Sequence, residues 1–447
     1  MTLWIVICLS ALLSLLWLLR RDQLSLGLPV AYLYSLLLIH IPGAFAHAIG
    51  SDFLLKSDIV EIAMRFTAIS SVCFVIGVWL SRSASAQLPC AQAKDRSRLW
   101  IFCLAGGWLL IYGLTPLFRF PSVGAVVEEG GGIWMLGVLL GLRAAFRQKD
   151  CRGIVLWIAA LMVFPVVMLL LGGFLSYGSA AIMVVCSALT ISTRSYWRVF
   201  TGIAIFTFLS LSIFVNYFHH RNDIRHQVWG GAPLEVRVES AINVVKGFEW
   251  FDPNNRTHLI ALDQRLNQNY FAGLAAIRIQ RGQVRYLYGQ SLWQGLLALI
   301  PRALWPAKPV FAGSPEIVSK MTGLRLSTTT SFGVGNVMEF QINFGNPGIV
   351  VGFLVLGWII GRLDLKAAIA DLQCDFRTLF LSFLCCVALI KPNGSMVELS
   401  SGAAAAAVAA LLWNFAWERF GRGLINPRLS SREICGENPY YQRQPAT

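Results

Sequence analysis

Apolar runs too long for the helices of a soluble protein set the terms for this chain. A helix needs about 20 residues to cross the hydrocarbon of a bilayer. Stretches of that kind recur near residues 2–19, 28–49, 60–81, 99–117, 132–147, 153–172, 174–192, 199–217, 344–361, 377–392 and 397–416. Read as spans they number eleven, which predicts an all-α polytopic membrane protein. The pair over 153–192 admits a second drawing as one broken helix, because only "GGFLSYG" separates its halves. Charged residues make up 13% of the chain, about half the share of an ordinary globular domain, so most of these runs have no polar face to show to water.

The formal net charge of +14 is therefore read by location rather than as a nucleic-acid footprint. Lys and Arg collect in short cytoplasmic loops. Here Arg20 and Arg21 follow the first span, Arg82, Lys94, Arg96 and Arg98 the third, and Arg143, Arg147, Lys149 and Arg152 the fifth. Arg194 and Arg198 follow the seventh, and Arg362, Lys366 and Arg377 lie between the ninth and tenth. Arg419, Arg422, Arg428, Arg432 and Arg443 mark the tail. The intervening short loops carry little beyond Lys56 and Arg119. The alternation predicts an outside amino terminus and a cytoplasmic carboxyl terminus. The first segment has no basic n-region and is followed by arginines, the pattern of a retained reverse anchor rather than a cleaved signal peptide. Cys90, Cys151, Cys374 and Cys435 fall in the expected cytoplasmic stretches and the other six cysteines within spans, so the outer region is expected to hold no disulfide, and no spacing matches a zinc site.

Four parts follow: a membrane bundle over 1–217 with about eight spans, a large outer loop over 218–343, about three more spans over 344–416, and a cytoplasmic tail over 417–447. The loop is too long for a plain connection, and it holds thirteen Lys or Arg against eight Asp or Glu. A solvated basic surface drawn to anionic headgroups accounts for that excess, and so does a site for an anionic substrate. Within it, "NYFHHRNDIRHQ" (216–227) bunches His219, His220, Arg221, Asp223, Arg225 and His226 just beyond the eighth span. "APLEVRVESAINVVKGFEWF" spaces Leu234, Val238, Ala241, Ile242, Val245 and Phe248 as a helical stripe. Such a helix either lies flat on the membrane or packs on the rest of the loop. A second helical stretch is expected over 258–280, with Arg265, Arg278 and Arg281 near it, and a short apolar one over 290–300, re-entrant or interfacial because it cannot span.

That short helix delivers "LIPRALWPAKPVF" (299–311) back to the membrane surface. Pro301, Pro306 and Pro309 fix φ and lack backbone donors, so Arg302, Trp305 and Lys308 sit on a stiff cationic turn suited to an anion-binding wall, or on a turn that is only structural. Further on come the hydroxyl run Thr328 to Ser331, a glycine-rich "GVGN" that matches no complete phosphate-loop pattern, and Glu339. A carboxylate in apolar surroundings holds its proton more readily and can act as a general base; pairing with one of the arginines is the plainer role. Asp52, Asp58, Glu61 and Arg65 form a second outer cluster, and Lys391 and Glu398 flank the last outer turn.

The layout of spans around one large extracytoplasmic loop in the second half resembles the Wzy-type oligosaccharide repeat-unit polymerases of O-antigen and exopolysaccharide assembly. "IPRALWPAKP", "SPEIVSKMTG" and "TTTSFGVGNVMEFQINFGNPGIVVGFLVLGWIIGRL" are similar to that family's loop and following span. The likeness covers about 60 residues by motif and the rest by topology. It implies a metal-independent multi-span glycosyltransferase of the bacterial inner membrane, with no cofactor. Its substrates are polyprenyl-diphosphate-linked oligosaccharides, and a chain-length regulator and a flippase are its implied protein partners; no nucleic acid is involved. Departure of the lipid diphosphate builds negative charge that preorganised cations stabilise, and Arg221, Arg225, Arg278, Arg302 and Lys308 are the candidates. Glu339, His219 or His220 is the candidate base, and Trp305 and Tyr286 the candidate stacking surfaces for sugars, unless they belong to an interfacial aromatic belt. An O-antigen ligase uses the same donor on a similar layout. A flippase of lipid-linked sugars is the alternative of another class; it predicts inverted repeats and many polar groups deep in the spans, and the sequence displays neither.

Overall fold

A computed structural model describes residues 1–22, 24–50, 57–82, 97–114, 116–117, 120–172, 176–193, 195–300, 305, 307–309, 313–325 and 333–421. Among them every regular element is helical. The first half runs α1 (Thr2–Asp22), α2 (Leu28–Leu38), α3 (Ile41–Ile49), α4 (Ser57–Arg82), α5 (Ser97–Trp108), α6 (Pro121–Gly131), α7 (Ile133–Gln148), α8 (Cys151–Gly172), α9 (Ser176–Ser192) and α10 (Tyr196–Trp229). Among the described residues eight segments are long and apolar enough to cross a membrane, and α2 with α3 and α6 with α7 each count as one of them. Pro42 in the first turn of α3 forces the first break, since its ring cannot continue the preceding helix. The segments expected over 99–117, 174–192 and 377–392 are shorter apolar helices. The uncertain pair over 153–192 forms two separate helices, α8 and α9, each with its own packing partners.

The second half continues through α11 (Leu234–Lys246), α12 (Arg256–Arg265), α13 (Gln268–Gln280), α14 (Gln290–Ala298), α15 (Ser314–Thr322), α16 (Asn336–Gln373), α17 (Phe376–Leu389) and α18 (Met396–Ala416). Helices α4 and α16 form the central pair. Gly77 meets the Leu354 carbonyl, Gly357 meets that of Phe74, and Gly361 meets Ser81, leaving no room for a Cβ at any of the three. Small residues four apart let two spans approach this closely, and dispersion then holds them where lipid offers no hydrophobic drive. At one end of this pair the Asp364 carboxylate lies 2.6 Å from Arg82 and accepts from Ser25 Oγ at 2.7 Å and from the Leu26 amide at 3.0 Å. Arg20 donates to the Thr193 carbonyl and Arg362 to that of Ser81. Ends that the charge pattern assigns to one side thus meet at one end of the bundle.

At the other end α10 outruns its expected span and continues to Trp229, so the histidines and arginines over 219–226 ride on a helix. The stretch expected to be helical over 258–280 breaks at Leu266–Asn267 into α12 and α13. Helix α13 enters the core between α4 and α16 by its small face of Ala272, Gly273, Ala275 and Ala276, with Gly273 directly against the Ile59 carbonyl. Helix α14 packs on α18 through Ser291, Gly295 and Ala298 and leaves Trp293 and Leu296 exposed. Helix α16 is sharply bent at Phe344 and Gly345, where φ of +64° demands a glycine; the bend sets residues 336–343 apart from the remainder of the span.

Candidate functional site

The extension of α10 carries Tyr217, Arg221 and Arg225, four residues apart and therefore on one face. Arg221 is held 4.5 Å over the Phe218 ring and Arg225 5.5 Å over that of Trp229. From the last turn of α12, a helix begun by the Asn255 side chain accepting from the Thr257 amide, Arg265 reaches the same cluster. Its guanidinium is pushed down to about 10, first by burial and then by the charges of Arg221 and Arg225. Arg221 and Arg225 thus lie near enough to Arg265 for their charges to oppose its own, a repulsion that a multiply charged anion would relieve.

Asp263, two residues before Arg265, faces the other way, toward α3. Its Oδ1 lies 2.7 Å from Nε2 of the buried His47, whose Nδ1 lies 3.1 Å from Ser57 Oγ. A carboxylate only accepts, so Nε2 donates its proton to Asp263. Asn267 Nδ2 donates to the same Asp263 oxygen at 2.6 Å. A second histidine, His258, accepts from the Asp252 amide at 3.1 Å and turns its other nitrogen to Glu249 at 3.3 Å.

No family model, curated protein or solved structure matches this chain.

Arg221 and Arg225 are the only sequence candidates that the described residues bring together in this cluster. Arg278 donates to the Lys320 and Met321 carbonyls at the end of α15, and Lys308 donates to those of Ala298 and Ile300 at the end of α14; both positions suit a cation, given the helix dipole. Arg302 lies outside the described residues, as do Pro301, Pro306, Asp52 and the hydroxyl run. Trp305 is half-buried, its carbonyl accepting from the Lys308 amide at 3.1 Å. Tyr286 packs its hydroxyl against the bend at Gly345 and sets its ring at 6.1 Å from that of Tyr288. His220 bonds the Asn216 carbonyl of its own helix at 3.0 Å, and the exposed His219 lies 5.9 Å from the His258 ring. The glycine-rich turn spends its amides on carbonyls, Gly335 on Asn393 and Asn336 on Pro392. In the second outer cluster, Glu61 takes the terminal amine of Met1 at 2.9 Å and Arg65 lies over the Phe66 ring.

Glu339 is fully buried and accepts from the Met396 amide at 2.7 Å, so it caps α18 from the start of α16. Asn343 joins the same knot, donating to Ser291 and to the Glu339 carbonyl at 2.7 Å each. Glu398 takes the Ser314 hydroxyl at 2.9 Å, and Lys391 pairs with Glu129 at 2.6 Å. Polar groups inside apolar segments are also more numerous than the sequence suggests: His40 meets Asn269 at 2.8 Å and Thr67 at 3.2 Å, and Tyr32 meets Asn336 at 2.8 Å.

Arg265, His47 and Asp263 are the site residues that sequence reasoning left aside. His47 sits inside an apolar run, and only the return of α12 against α3 gives it a carboxylate partner. Arg265 was visible as one of several loop arginines; nothing local marked it as the one that meets Arg221.

Proposed function

We propose that the chain is a membrane glycosyltransferase that polymerises lipid-linked oligosaccharide repeat units, moving a growing glycan from a polyprenyl diphosphate onto the sugar of another lipid-linked unit. It lies in the bacterial inner membrane with eleven spans, and residues 218–343 face away from the cytoplasm. The observation that carries the reading is the meeting of Arg221, Arg225 and Arg265 beyond the span of α10. A diphosphate leaving group gathers negative charge as the sugar carbon becomes oxocarbenium-like, and fixed cations stabilise that charge most where water is scarce. Deletion of the gene followed by glycan analysis tests it: single capped repeat units mean polymerase, and uncapped lipid A core with retained polymer means ligase. A flippase is the second reading, favoured by the buried polar contacts of His40, Thr67, Asn269, Tyr32 and Asn336; repeat units trapped inside the cell would select it.

A further inference from the structure

We infer that Arg20 and Arg21 at the end of α1, with the aromatic start of α10, hold the phosphodiester headgroup of an anionic phospholipid. The inference is independent of the glycosyltransferase reading and needs only that the helical bundle lies in a bilayer. Helix α1 turns one apolar stripe outward, with Leu3, Val6, Leu13 and Trp17 each more than half exposed, and Arg21 follows Trp17 by four residues on the same face. Helix α10 opens with Tyr196, Trp197 and Phe200 more than half exposed, Trp197 standing edge-on to Phe200 at 6.4 Å. Acyl chains cover such surfaces along their length. Both surfaces end in aromatic rings beside arginines, the order in which a bilayer passes from hydrocarbon to headgroup.

The placement of the two guanidinium groups separates a lipid site from a general basic rim. Arg20 lies 4.2 Å over the Tyr196 ring and Arg21 5.6 Å over the Trp17 ring. Stacking takes up the faces of a guanidinium and leaves its N–H edges to acceptors in its plane. Arg20 donates from Nη2 to the Thr193 carbonyl, in the turn between α9 and α10, while its Nη1 is turned away from water and finds no acceptor in the protein. Among the described residues neither arginine pairs with a carboxylate; the neighbouring Asp22 faces Arg82 at 3.8 Å. Other arginines at this end are satisfied inside the bundle, Arg82 by Asp364 and Arg362 by the Ser81 carbonyl. A phosphodiester supplies what Arg20 and Arg21 lack, one negative charge shared by two oxygens that match a guanidinium edge. The rings favour a lipid over a free anion, because large exposed aromatic surface is costly in water and not in hydrocarbon. Since α1 packs on α9 and Arg20 reaches the turn into α10, a lipid held here joins three helices.

The test is thermal unfolding of the purified full-length protein in a neutral detergent, titrated with phosphatidylglycerol, cardiolipin, phosphatidylcholine or inorganic phosphate. The two anionic lipids are expected to raise the melting temperature at concentrations where phosphatidylcholine does not. Their apparent affinity should fall about fivefold for each arginine removed, hence roughly 25-fold for Arg20→Gln with Arg21→Gln. Arg147→Gln with Lys149→Gln takes the same charge from the end of α7 and should leave the affinity unchanged. An equal response to phosphatidylcholine, wild-type affinity in the Arg20 and Arg21 double variant, or an equal loss in the α7 pair overturns the site. A response to inorganic phosphate that disappears in the double variant means that a soluble anion occupies the place, and overturns the lipid. Where the double variant fails to accumulate, Arg21→Gln alone decides: about fivefold weaker lipid binding supports the site and wild-type binding overturns it.

Discussion

Replacing Arg265 with Gln should leave the ligand-free protein as stable as the wild type or more so, while removing its response to diphosphate. Burial, and after it the charges of Arg221 and Arg225, push the Arg265 guanidinium down to about 10. A folded-state value below the ordinary one means that the charged form costs stability at every pH below about 10, and that the cost fades as pH rises from there toward the ordinary guanidinium value. Because the guanidinium is only partly buried, solvent screening holds the cost at neutral pH to on the order of 1 kcal/mol. The part of that cost that comes from Arg221 and Arg225 is what an anion recovers on binding. Thermal unfolding in detergent at low ionic strength, with and without inorganic pyrophosphate, separates the two effects. Wild type should gain about 2.7 kcal/mol when the ligand is present at a hundred times its Kd, and Arg265→Gln should gain much less from an equal or higher starting point. A variant that melts several degrees below wild type without ligand would refute the account of the cluster, as would an undiminished response to pyrophosphate.

Other contacts make equally direct predictions. Asp364→Ala removes the nearest carboxylate of the buried Arg82 guanidinium, which keeps the Leu24 carbonyl and the more distant Asp22, and removes the acceptor of the Leu26 amide; it should cost about 3 kcal/mol, read as loss of folded protein in membranes or a lowered melting temperature. Gly357→Val drives a side chain into the Phe74 carbonyl and should separate α4 from α16, abolishing accumulation where Gly202→Val, which meets nothing within 4 Å, leaves it unchanged. Along α11, Leu234, Val238 and Ile242 are 57%, 36% and 47% exposed, and Arg237 ties the helix to the Leu170 carbonyl near the end of α8 at 3.2 Å. A photo-crosslinking residue at 238 or 242 should therefore form adducts of lipid mass and one at 239 should not; protein-sized adducts at 238 would mean that a partner covers the stripe.

How far the sequence reaches is set by which forces act locally. Apolar length and the alternation of basic loops depend on each segment and on the bilayer, so the helical membrane class and the grouping of Arg20, Arg82 and Arg362 at one end could be read without a structure. The stripe of Leu234, Val238 and Ile242 was equally legible, because helical periodicity alone puts them together; its exposure was not, since both lipid and protein can cover such a face. What failed to show were contacts made by the return of a distant segment. The small residues of α13 read as an ordinary loop helix until Gly273 is seen against α4, and Arg278 and Lys308 read as free cations until the helix ends they cap are in place.

The same reasoning explains why the sequence offered Glu339 among its candidate bases and passed over His47. A carboxylate beside an apolar run stands out in a linear reading because it is costly there, and the structure meets part of that cost with the Met396 amide at the start of α18. A histidine inside an apolar run looks like a core residue because its partners are absent from its own neighbourhood. Its two nitrogens find Ser57 ten residues ahead and Asp263 more than two hundred residues away. Local expense marks where a charge must be stabilised, but a buried ring is satisfied by groups that only the fold brings near, and here the distant one arrives where α12 packs against α3.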